Sequence, residues 1–302
     1  MKKHLLKMSD LSKDDIFEIF ETAGKLKYYN KNKIEHTLLK NKNLGMIFSK
    51  SSTRTRVSFE VGMNQLGGKA IFLSKNDIQL GRGESIYDTA KTLSRYLDGI
   101  MIRTYDQKEV EDLAKYGDIP VINGLTDYAH PCQVLADLMT VKEYKNSFEG
   151  LKLCFIGDGF NMANSLVVGG LTVGMNVAIA NPEGYETSRD IKDFASEFPG
   201  KYLFTNEIKE AAKEADVLVT DVWYSMGQED IEERKIAFKN YKIDSELMKY
   251  AKKDAMVLHC LPAHKDEEIS SEIFSLHEKE IFDEAENRLH AQKAVMVKLM
   301  GG

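Results

Sequence analysis

Short apolar runs alternate with longer amphipathic segments along most of this chain. The first amphipathic segment, over residues 13–29, predicts a helix. Apolar runs that predict strands follow at residues 44–48, 70–73, 99–103 and 120–122. Helical patterns cover residues 56–66, 85–96, 108–116 and 131–144. Because strands and helices take turns along the chain, we predict a parallel sheet with helices on its faces.

A polar stretch at residues 142–152 interrupts this alternation, which then resumes. Further strands are predicted at residues 153–156, 176–180, 202–204, 217–222 and 256–259. The predicted fold is therefore α/β, with two doubly wound parallel-sheet domains joined by a short linker. A last helical pattern, over residues 285–300, is expected to return to the first domain. We predict a first domain of residues 1–147 with 285–302, and a second domain of residues 148–284.

Composition narrows the class of protein. The chain has 302 residues, 43% of them hydrophobic and 29% charged, which is typical of a soluble globular protein. Its net charge of −6 and the lack of a long basic run argue against nucleic-acid binding. No apolar run is long enough to span a membrane, and no signal peptide is evident. The 3 cysteines lie far apart without CxxC pairing, so we expect a cytoplasmic protein with no metal site.

The segment Ser52-Thr53-Arg54-Thr55-Arg56 is predicted to bind a phosphate. It follows a predicted strand and opens a helical pattern, and a helix start offers unpaired N–H groups to an anion. Hydroxyls and guanidinium groups add charge-assisted hydrogen bonds on several sides of such an anion. The alternative is a simple helix cap with solvated arginines.

The segment His130-Pro131-Cys132-Gln133 begins another predicted helix, with proline at a first-turn position. This places His130 and Gln133 at the helix end. A histidine can donate to a carbonyl oxygen, and a glutamine can both donate to and accept from an amide-like group. A histidine that only caps the helix is an equally good interpretation of this segment taken alone.

The segment Gly157-Asp158-Gly159 follows a predicted strand, as a dinucleotide-binding loop does. The third glycine of that motif is replaced by Met162, and Asn181 follows the next strand where a ribose-binding acid is expected. We therefore predict that this loop packs a strand-to-helix turn and offers Asn161 to a small ligand. A nicotinamide-dependent dehydrogenase stays the alternative that rests on this loop.

Two more segments follow predicted strands of the second domain. Asp221 precedes Ser225-Met226-Gly227, and a carboxylate beside a hydroxyl suits an ammonium group. An aspartate at a strand end is otherwise often a turn former. The segment His259-Cys260-Leu261-Pro262 places a thiol beside a histidine, as an activated nucleophile would be. We prefer a positioning role for Cys260, and a simple core cysteine is the common alternative.

These polar residues mostly follow the carboxyl ends of predicted strands, where ligands collect in parallel sheets. One exception is Gln79, which lies in a polar, glycine-containing loop at residues 74–84. Such a loop suits a mobile lid or a contact between subunits.

In that order and spacing, the motifs at residues 52–56, 130–133 and 259–262 resemble the aspartate/ornithine carbamoyltransferase family. The aspartate at 221 followed by Ser225-Met226-Gly227 is similar to the element that marks the members acting on ornithine. The resemblance covers the chain from Lys50 to Arg288. It implies a carbamoyl-phosphate domain, an amino-acid domain, and a homotrimer with active sites at the subunit interfaces.

The resemblance also implies which residues bind carbamoyl phosphate. Arg103 would bridge the phosphate and the carbonyl oxygen, and Gln79 would reach the phosphate of a neighbouring subunit. The residues implied at the phosphate are Ser52, Thr53, Arg54 and Thr55. The residues implied around the carbamoyl group are His130, which polarises its carbonyl, and Pro131, Cys132, Gln133, Leu261 and Arg288.

For the second substrate, the resemblance implies an ornithine site in the second domain. The residues implied there are Asn161, Asp221, Ser225, Met226 and Cys260. The catalytic groups would be Arg103, His130, Asp221 and Cys260, with no metal or cofactor. The implied reaction transfers the carbamoyl group of carbamoyl phosphate to the side-chain amine of L-ornithine, giving L-citrulline and phosphate.

Other functions stay open at this point. A carbamoyltransferase acting on another amine such as putrescine shares the phosphate motifs, although it typically lacks Ser-Met-Gly after the aspartate. A non-catalytic sensor that kept the anion site is a further alternative. The sequence also leaves open whether the reaction runs towards citrulline in arginine biosynthesis or in the reverse direction.

Overall fold

The computed structural model describes residues 2–225 and 228–301. Its contacts divide the chain into two compact units. The first unit holds the chain up to Ala136 together with the segment from Asn287 onward, and the second is Asp137–Glu286. The predicted return of the C-terminal helix to the first domain is thereby confirmed. The division falls inside a helix and not in the polar stretch, so the predicted boundary at residue 147 stays a prediction.

The described part of the first unit contains a four-stranded sheet in which all strand pairs are parallel. Its strands are β1 (Asn43–Phe48), β2 (Lys69–Ser74), β3 (Gly99–Arg103) and β4 (Val121–Leu125). Its helices are α1 (Lys13–Lys31), α2 (Thr53–Gln65), α3 (Ile86–Leu93) and α4 (Gln107–Tyr116), followed by α5 (Pro131–Lys145).

Among the described residues of the second unit, five parallel strands form the sheet. They are β5 (Lys152–Ile156), β6 (Asn176–Ala180), β7 (Tyr202–Thr205), β8 (Val217–Thr220) and β9 (Met256–His259). The helices are α6 (Asn161–Val173), α7 (Arg189–Ser196), α8 (Ile208–Ala212), α9 (Ile231–Phe238), α10 (Ser245–Met248) and α11 (Ser271–Leu276). The last helix, α12 (Glu278–Met300), begins in the second unit and continues as part of the first from Asn287 onward. The predicted α/β class with two parallel sheets is confirmed.

In both sheets, the later strands are added on either side of the strand that comes first in the chain. The strand order is β2-β1-β3-β4 in the first sheet and β7-β6-β5-β8-β9 in the second. Each sheet is thus doubly wound, with its switch point between β1 and β3 or between β5 and β8. Ligands of such sheets bind beyond the carboxyl ends of the strands at these points.

Apart from the edge strands β2 and β7, the strands are apolar because their side chains are buried on both faces of the sheet. In the first unit, Ile47, Ile100, Ile102 and Val121 belong to one buried cluster. In the second unit, Ile156, Ala178, Leu218 and Val257 belong to another. Burying one of the isoleucine, leucine or valine side chains stabilises the fold by about 1.5–3 kcal/mol. These cores hold the strand ends in place, and the predicted site residues lie at or just beyond those ends.

Several element ends differ from the prediction, and three of them have a local explanation. Helix α2 begins at Thr53 and not at residue 56, because the Ser52 side chain caps it. Strand β8 ends at Thr220 and not at residue 222, where the Asp221 carboxylate accepts a hydrogen bond from the backbone N–H of Val222. Helix α12 begins at Glu278 and not at residue 285. Its first turns are mostly charged and show little apolar periodicity, so the sequence pattern did not reveal them.

No helix in the described part of the chain has both the length and the apolar character that crossing a bilayer requires.

Candidate active site

The predicted phosphate loop lies at the carboxyl end of β1. Ser52 caps helix α2, and its Oγ accepts a hydrogen bond from the backbone N–H of Thr55 at 3.2 Å. Thr55 is buried and Arg54 is half-buried. The first turn of α2 therefore presents backbone N–H groups, hydroxyls and a guanidinium together, which is the donor set that an oxyanion needs.

Arg103 is the last residue of β3, and 8% of it is exposed. It pairs in register with Phe48 of β1, and its carbonyl oxygen accepts from the backbone N–H of Ser49 at 2.8 Å. Arg103 therefore lies beside the start of the loop that leads to Ser52. The sequence predicted that both residues lie at strand ends, and the register of β1 with β3 places those two ends side by side.

His130 is buried directly before helix α5. Burial, together with the charges of Arg288, Arg103 and Arg54, lowers the pKa of His130 well below its usual value. The imidazole is therefore neutral at neutral pH, so one ring nitrogen carries a hydrogen and can donate it. A neutral donor among positive charges suits the oxygen of a polarised carbonyl group.

Arg288 of helix α12 joins two of the predicted site residues. Its Nη1 donates to the Gln133 side-chain oxygen at 2.5 Å, and its Nη2 donates to Thr55 Oγ1 at 3.3 Å. Arg288, Gln133 and Thr55 are all buried. We call Arg54, Thr55, Arg103, His130, Gln133 and Arg288 the arginine cluster.

Gln292, which the sequence analysis missed, holds the same guanidinium from the other side. Its amide is assigned with the oxygen towards Arg288, because the reverse orientation would face donors with a donor. The oxygen then accepts from Arg288 Nη2 at 2.9 Å and from Nε at 3.2 Å. The amide nitrogen donates to Ser58 Oγ on α2 at 2.5 Å. No local motif contains this pairing, since Ser58 and Gln292 are 234 positions apart.

Two other predicted residues of the first unit are placed differently. The Cys132 thiol is buried and donates to the carbonyl oxygen of Asn123 at 3.4 Å. Burial raises the pKa of Cys132 to about 12, so the thiol is unreactive and any role in binding falls to its backbone. Gln79 is exposed on a short 3-10 helix, Gln79–Arg82. Among the described residues, no hydrogen bond links its side chain to the arginine cluster.

In the second unit, the turn after β5 depends on glycine. Gly157 has φ of +150°, and a Cβ on Gly159 would lie 2.3 Å from the carbonyl oxygen of Tyr185. The Asn181 side chain donates to the carbonyl oxygen of Gly157 at 2.6 Å. Asn181 therefore stabilises the turn at the position where a dinucleotide fold places its ribose-binding acid. This supports the prediction that the turn serves packing.

Asn161 follows this turn as the buried first residue of helix α6. Ser225 is half-buried, and its backbone N–H donates to the Gln228 side-chain oxygen at 2.6 Å. The predicted site residue Met226 lies outside the described residues. Asn161 and Ser225 follow β5 and β8, two neighbouring strands of the sheet, at the edge where the amino-acid site is predicted.

Asp221 and Cys260 meet because β8 and β9 are neighbouring parallel strands. The Cys260 Sγ donates to Asp221 Oδ1 at 2.9 Å. Burial, the charge and hydrogen bond of Asp221, and the more distant carboxylates Glu284 and Asp137 raise the pKa of Cys260 well above its usual value. The thiol is therefore protonated at neutral pH, which favours the predicted positioning role over that of a nucleophile.

His259 fixes the backbone that follows Cys260. Its Nδ1 accepts from the backbone N–H of Leu261 at 2.9 Å, so Nε2 carries the hydrogen that faces Glu268 at 2.9 Å. Leu261 has φ of +58°, an uncommon conformation for a β-branched or bulky residue and one that needs such support. The Leu261 carbonyl group is thereby held in one orientation.

Within residues 2–225 and 228–301, two groups of side chains contain the donor types that bind metal ions. The first is Asp221, His259 and Cys260, and the second is His264, Glu267 and Glu268. A metal ion at the first group would require the thiolate of Cys260, whereas the bond to Asp221 and the raised pKa favour its protonated form. We therefore do not assign the first group to a metal.

Two family models match the chain. One is described as the carbamoyl-P binding domain of aspartate/ornithine carbamoyltransferase and matches residues 3–143. The other is described as the Asp/Orn binding domain of the same enzymes and matches residues 149–299. The two matches together cover nearly the whole chain.

Individual relatives agree with these models. An ornithine carbamoyltransferase of Caldicellulosiruptor saccharolyticus is 52% identical over 300 residues, with 98% of this chain and 97% of the relative covered. A protein of Pyrococcus furiosus named anabolic ornithine carbamoyltransferase is 49% identical over 305 residues, with 99% and 97% covered. The solved structure of a Pyrococcus furiosus ornithine carbamoyltransferase superposes with a TM-score of 0.94 at 49% identity, with 99% and 97% covered.

Proposed function

Because this chain belongs to the aspartate/ornithine carbamoyltransferase family, we propose that it transfers the carbamoyl group of carbamoyl phosphate to the side-chain amine of L-ornithine. The products are L-citrulline and phosphate. In this reaction the amine nitrogen attacks the carbonyl carbon, the bond from that carbon to the phosphate oxygen breaks, and the nitrogen loses one proton.

The observation that carries this proposal is the arginine cluster around a neutral His130. Three guanidinium groups lower the pKa of that imidazole. One of them, that of Arg288, also donates hydrogen bonds to Thr55 and Gln133. Carbamoyl phosphate carries a doubly charged phosphate next to a carbonyl group and an amide nitrogen. The arginine cluster supplies guanidinium cations for the phosphate and a neutral imidazole donor for the carbonyl oxygen. The side-chain oxygen of Gln133 can accept a hydrogen bond from the amide nitrogen.

We assign the phosphate to Ser52, Thr53, Arg54 and Thr55 at the start of α2, with Arg103 between the phosphate and the carbonyl oxygen. His130 donates to that oxygen as negative charge develops on it. Preorganised donors of this kind act most strongly in the transition state. The Gln133 oxygen has two lone pairs, so it can accept from Arg288 and from the carbamoyl nitrogen together.

Ornithine binding is assigned to the second unit. Asn161, Asp221, Ser225 and Met226 are proposed to hold the amino-acid group, and Cys260 to lie beside the reacting amine. A side-chain amine of this type has a pKa near about 10.4, so its reactive neutral form is scarce at neutral pH. Since Cys260 is already protonated, it cannot take the proton of the amine. Asp221, whose carboxylate the thiol orients, is the better candidate.

The relatives give no support to putrescine as the acceptor, because those compared above are named for ornithine. The name of one relative also favours a direction of the reaction in the cell. The Pyrococcus furiosus relative is called anabolic, and we extend this to the present chain as a role in arginine biosynthesis.

We further propose a homotrimer with active sites at the subunit interfaces. Helix α2 and the edge strand β2 carry apolar side chains that are between 36% and 50% exposed: Val57, Val61, Ile71 and Phe72. An exposed apolar face beside an unpaired strand edge is typical of an interface between subunits. The exposed Gln79 follows β2 and is suited to reach a neighbouring copy. The free cysteines support a reducing compartment, which we take to be the cytoplasm.

The direct test is to incubate the protein with carbamoyl phosphate and either L-ornithine or putrescine, and to measure the carbamoylated product and phosphate. We expect citrulline and equal amounts of phosphate with ornithine, and little product with putrescine. Binding of carbamoyl phosphate without any product would instead indicate a sensor. Preference for putrescine would overturn the acceptor assignment and leave the donor assignment intact.

A further inference from the structure

Arg234 of helix α9 joins three parts of the second unit that are separate in sequence. Its Nη1 donates to Asp158 Oδ2 at 2.6 Å and to the carbonyl oxygen of Trp223 at 3.2 Å. Its Nε lies 3.0 Å from the carboxylate of Asp230. The guanidinium carbon is 5.0 Å from the centre of the Tyr185 ring. Only 9% of Arg234 is exposed, so these contacts form in a shielded environment.

The partners of Arg234 flank the residues assigned to ornithine. Trp223 lies between Asp221 and Ser225 in the chain, and Asp158 lies in the turn that precedes Asn161. One guanidinium thus connects the backbone beside Ser225 to the turn beside Asn161.

Arginine is suited to this task and lysine is not. Its planar group presents several donors in fixed directions, whereas lysine concentrates its charge at one point. Arg234 also provides the countercharge for Asp158. Burial raises the pKa of Asp158, and the charge of Arg234 opposes that rise. Removing the guanidinium would leave a mostly buried carboxylate without its countercharge, which is strongly unfavourable.

We propose that Arg234 is a positioning residue that holds the segment with Asp221 and Ser225 against the turn with Asn161, ready to receive the amino-acid substrate. A site held in its binding geometry loses less conformational freedom when the ligand binds. This inference rests on the proposed function and refines it, because it concerns the affinity for ornithine and not the binding of carbamoyl phosphate.

The test compares Arg234→Met, Arg234→Lys and Asp158→Asn with wild type. The KM for ornithine should rise about 10- to 100-fold in Arg234→Met and less in Arg234→Lys. The Kd for carbamoyl phosphate should stay within about twofold, and kcat at saturating ornithine within about threefold. The control is Arg189→Met, which removes an exposed arginine of the same unit and should leave all three values unchanged.

A double variant separates this role from general loss of stability. If Arg234 acts through Asp158, adding Asp158→Asn to Arg234→Met should raise the KM for ornithine by less than the product of the two single effects. Independent, multiplicative effects would contradict the connection. If Arg234→Met does not fold, Arg234→Lys and Asp158→Asn must show the same selective rise in KM.

The outcomes distinguish this inference from the function on which it rests. Wild type that forms no citrulline would overturn both. Wild type that forms citrulline, with an unchanged KM for ornithine in Arg234→Met, would overturn the role of Arg234 alone. The same would follow if Arg234→Met weakened carbamoyl phosphate and ornithine binding equally.

Discussion

The thiol of Cys260 donates a hydrogen bond to the carboxylate of Asp221 over 2.9 Å. The two residues are 39 positions apart, and they meet because they directly follow neighbouring parallel strands. The bond gives each group a defined state: the thiol keeps its hydrogen, and the carboxylate is fixed in direction. It therefore assigns different tasks to two residues that the resemblance named together as catalytic groups.

This relationship predicts unequal effects of two conservative substitutions. Asp221→Asn should lower kcat/KM for ornithine by about 10²–10³, because the amine loses its proton acceptor or countercharge. Cys260→Ser should lower it by less than about tenfold, because a hydroxyl still donates to Asp221. Steady-state kinetics with ornithine varied will measure both. Unchanged kcat and KM in both variants would remove the pair from the mechanism.

The neutral state of His130 predicts a loss of activity that does not depend on pH. His130→Ala should lower kcat by about 10²–10³, as expected for the loss of one donor to a developing oxyanion. Since the folded protein lowers the pKa of His130, the imidazole stays neutral as the pH falls through its usual value near 6.5. The ratio of wild-type to variant kcat should therefore be equal at about pH 6 and pH 8. A ratio that changes tenfold would show that His130 titrates in this range.

Arg288 should matter for its shape as well as for its charge. Arg288→Lys keeps the charge but cannot hold Gln133 and Thr55 together, so the Kd for carbamoyl phosphate should rise about tenfold or more. Binding can be followed by calorimetry in the absence of ornithine. The matched control is Arg95→Lys, at an exposed arginine of the same unit, where affinity should be unchanged. Equal affinities in all three proteins would place Arg288 outside the donor site.

Lys293 of helix α12 should reduce stability at neutral pH. It is fully buried, and burial lowers its pKa to about 8, while its Nζ donates to the Gln65 side chain at 2.8 Å. Between about pH 8 and pH 10.5 the unfolded chain binds more protons at this residue than the folded chain, so wild-type stability gains from rising pH. Lys293→Met should raise the free energy of unfolding at pH 7 by about 1–3 kcal/mol.

Urea denaturation at pH 7 and at about pH 10 will show whether that advantage shrinks as the lysine loses its charge. An advantage that is the same at both pH values would mean that the burial of charge is not its cause.

The exposed apolar face of α2 and β2 predicts a change of assembly. Val57 and Val61 lie one helical turn apart, so Val57→Glu with Val61→Glu would place two charges in the proposed interface. The mass measured by light scattering should fall from that of a trimer to that of a single chain. Ile236→Glu, at an isoleucine that is 77% exposed on α9, should leave the mass unchanged. A trimer that persists in the double variant would locate the interface elsewhere.

Much of the fold follows from local pattern. The apolar strands β1, β3, β5 and β9 were predicted to within one or two residues, because a strand buried on both faces needs a continuous apolar run. The early start of α12 was missed because charged residues fill its first turns. An ion pair four residues apart, Lys279 with Asp283, supports those turns without any apolar signal.

The candidate site was predicted where residue types cluster in short motifs, as at Ser52 and His130. It was not predicted where function depends on pairs distant in sequence. Arg234 and Asp158 are 76 positions apart, and neither is unusual locally: one is a helical arginine and the other a turn aspartate. Only the fold of the second unit brings them within 2.6 Å. Gln292 was not predicted for the same reason, because its partner Ser58 is distant in sequence.

The doubly wound construction occurs once in each unit, and each copy presents its own group of polar residues at its switch point. Recognition of the activated donor and choice of the nucleophile are thereby encoded in different stretches of chain. A mutant library confined to positions around Asn161 and Ser225 could then be screened for new acceptors while the donor chemistry is kept constant. The same separation gives natural diversification a route by which one acyl donor comes to serve several amines.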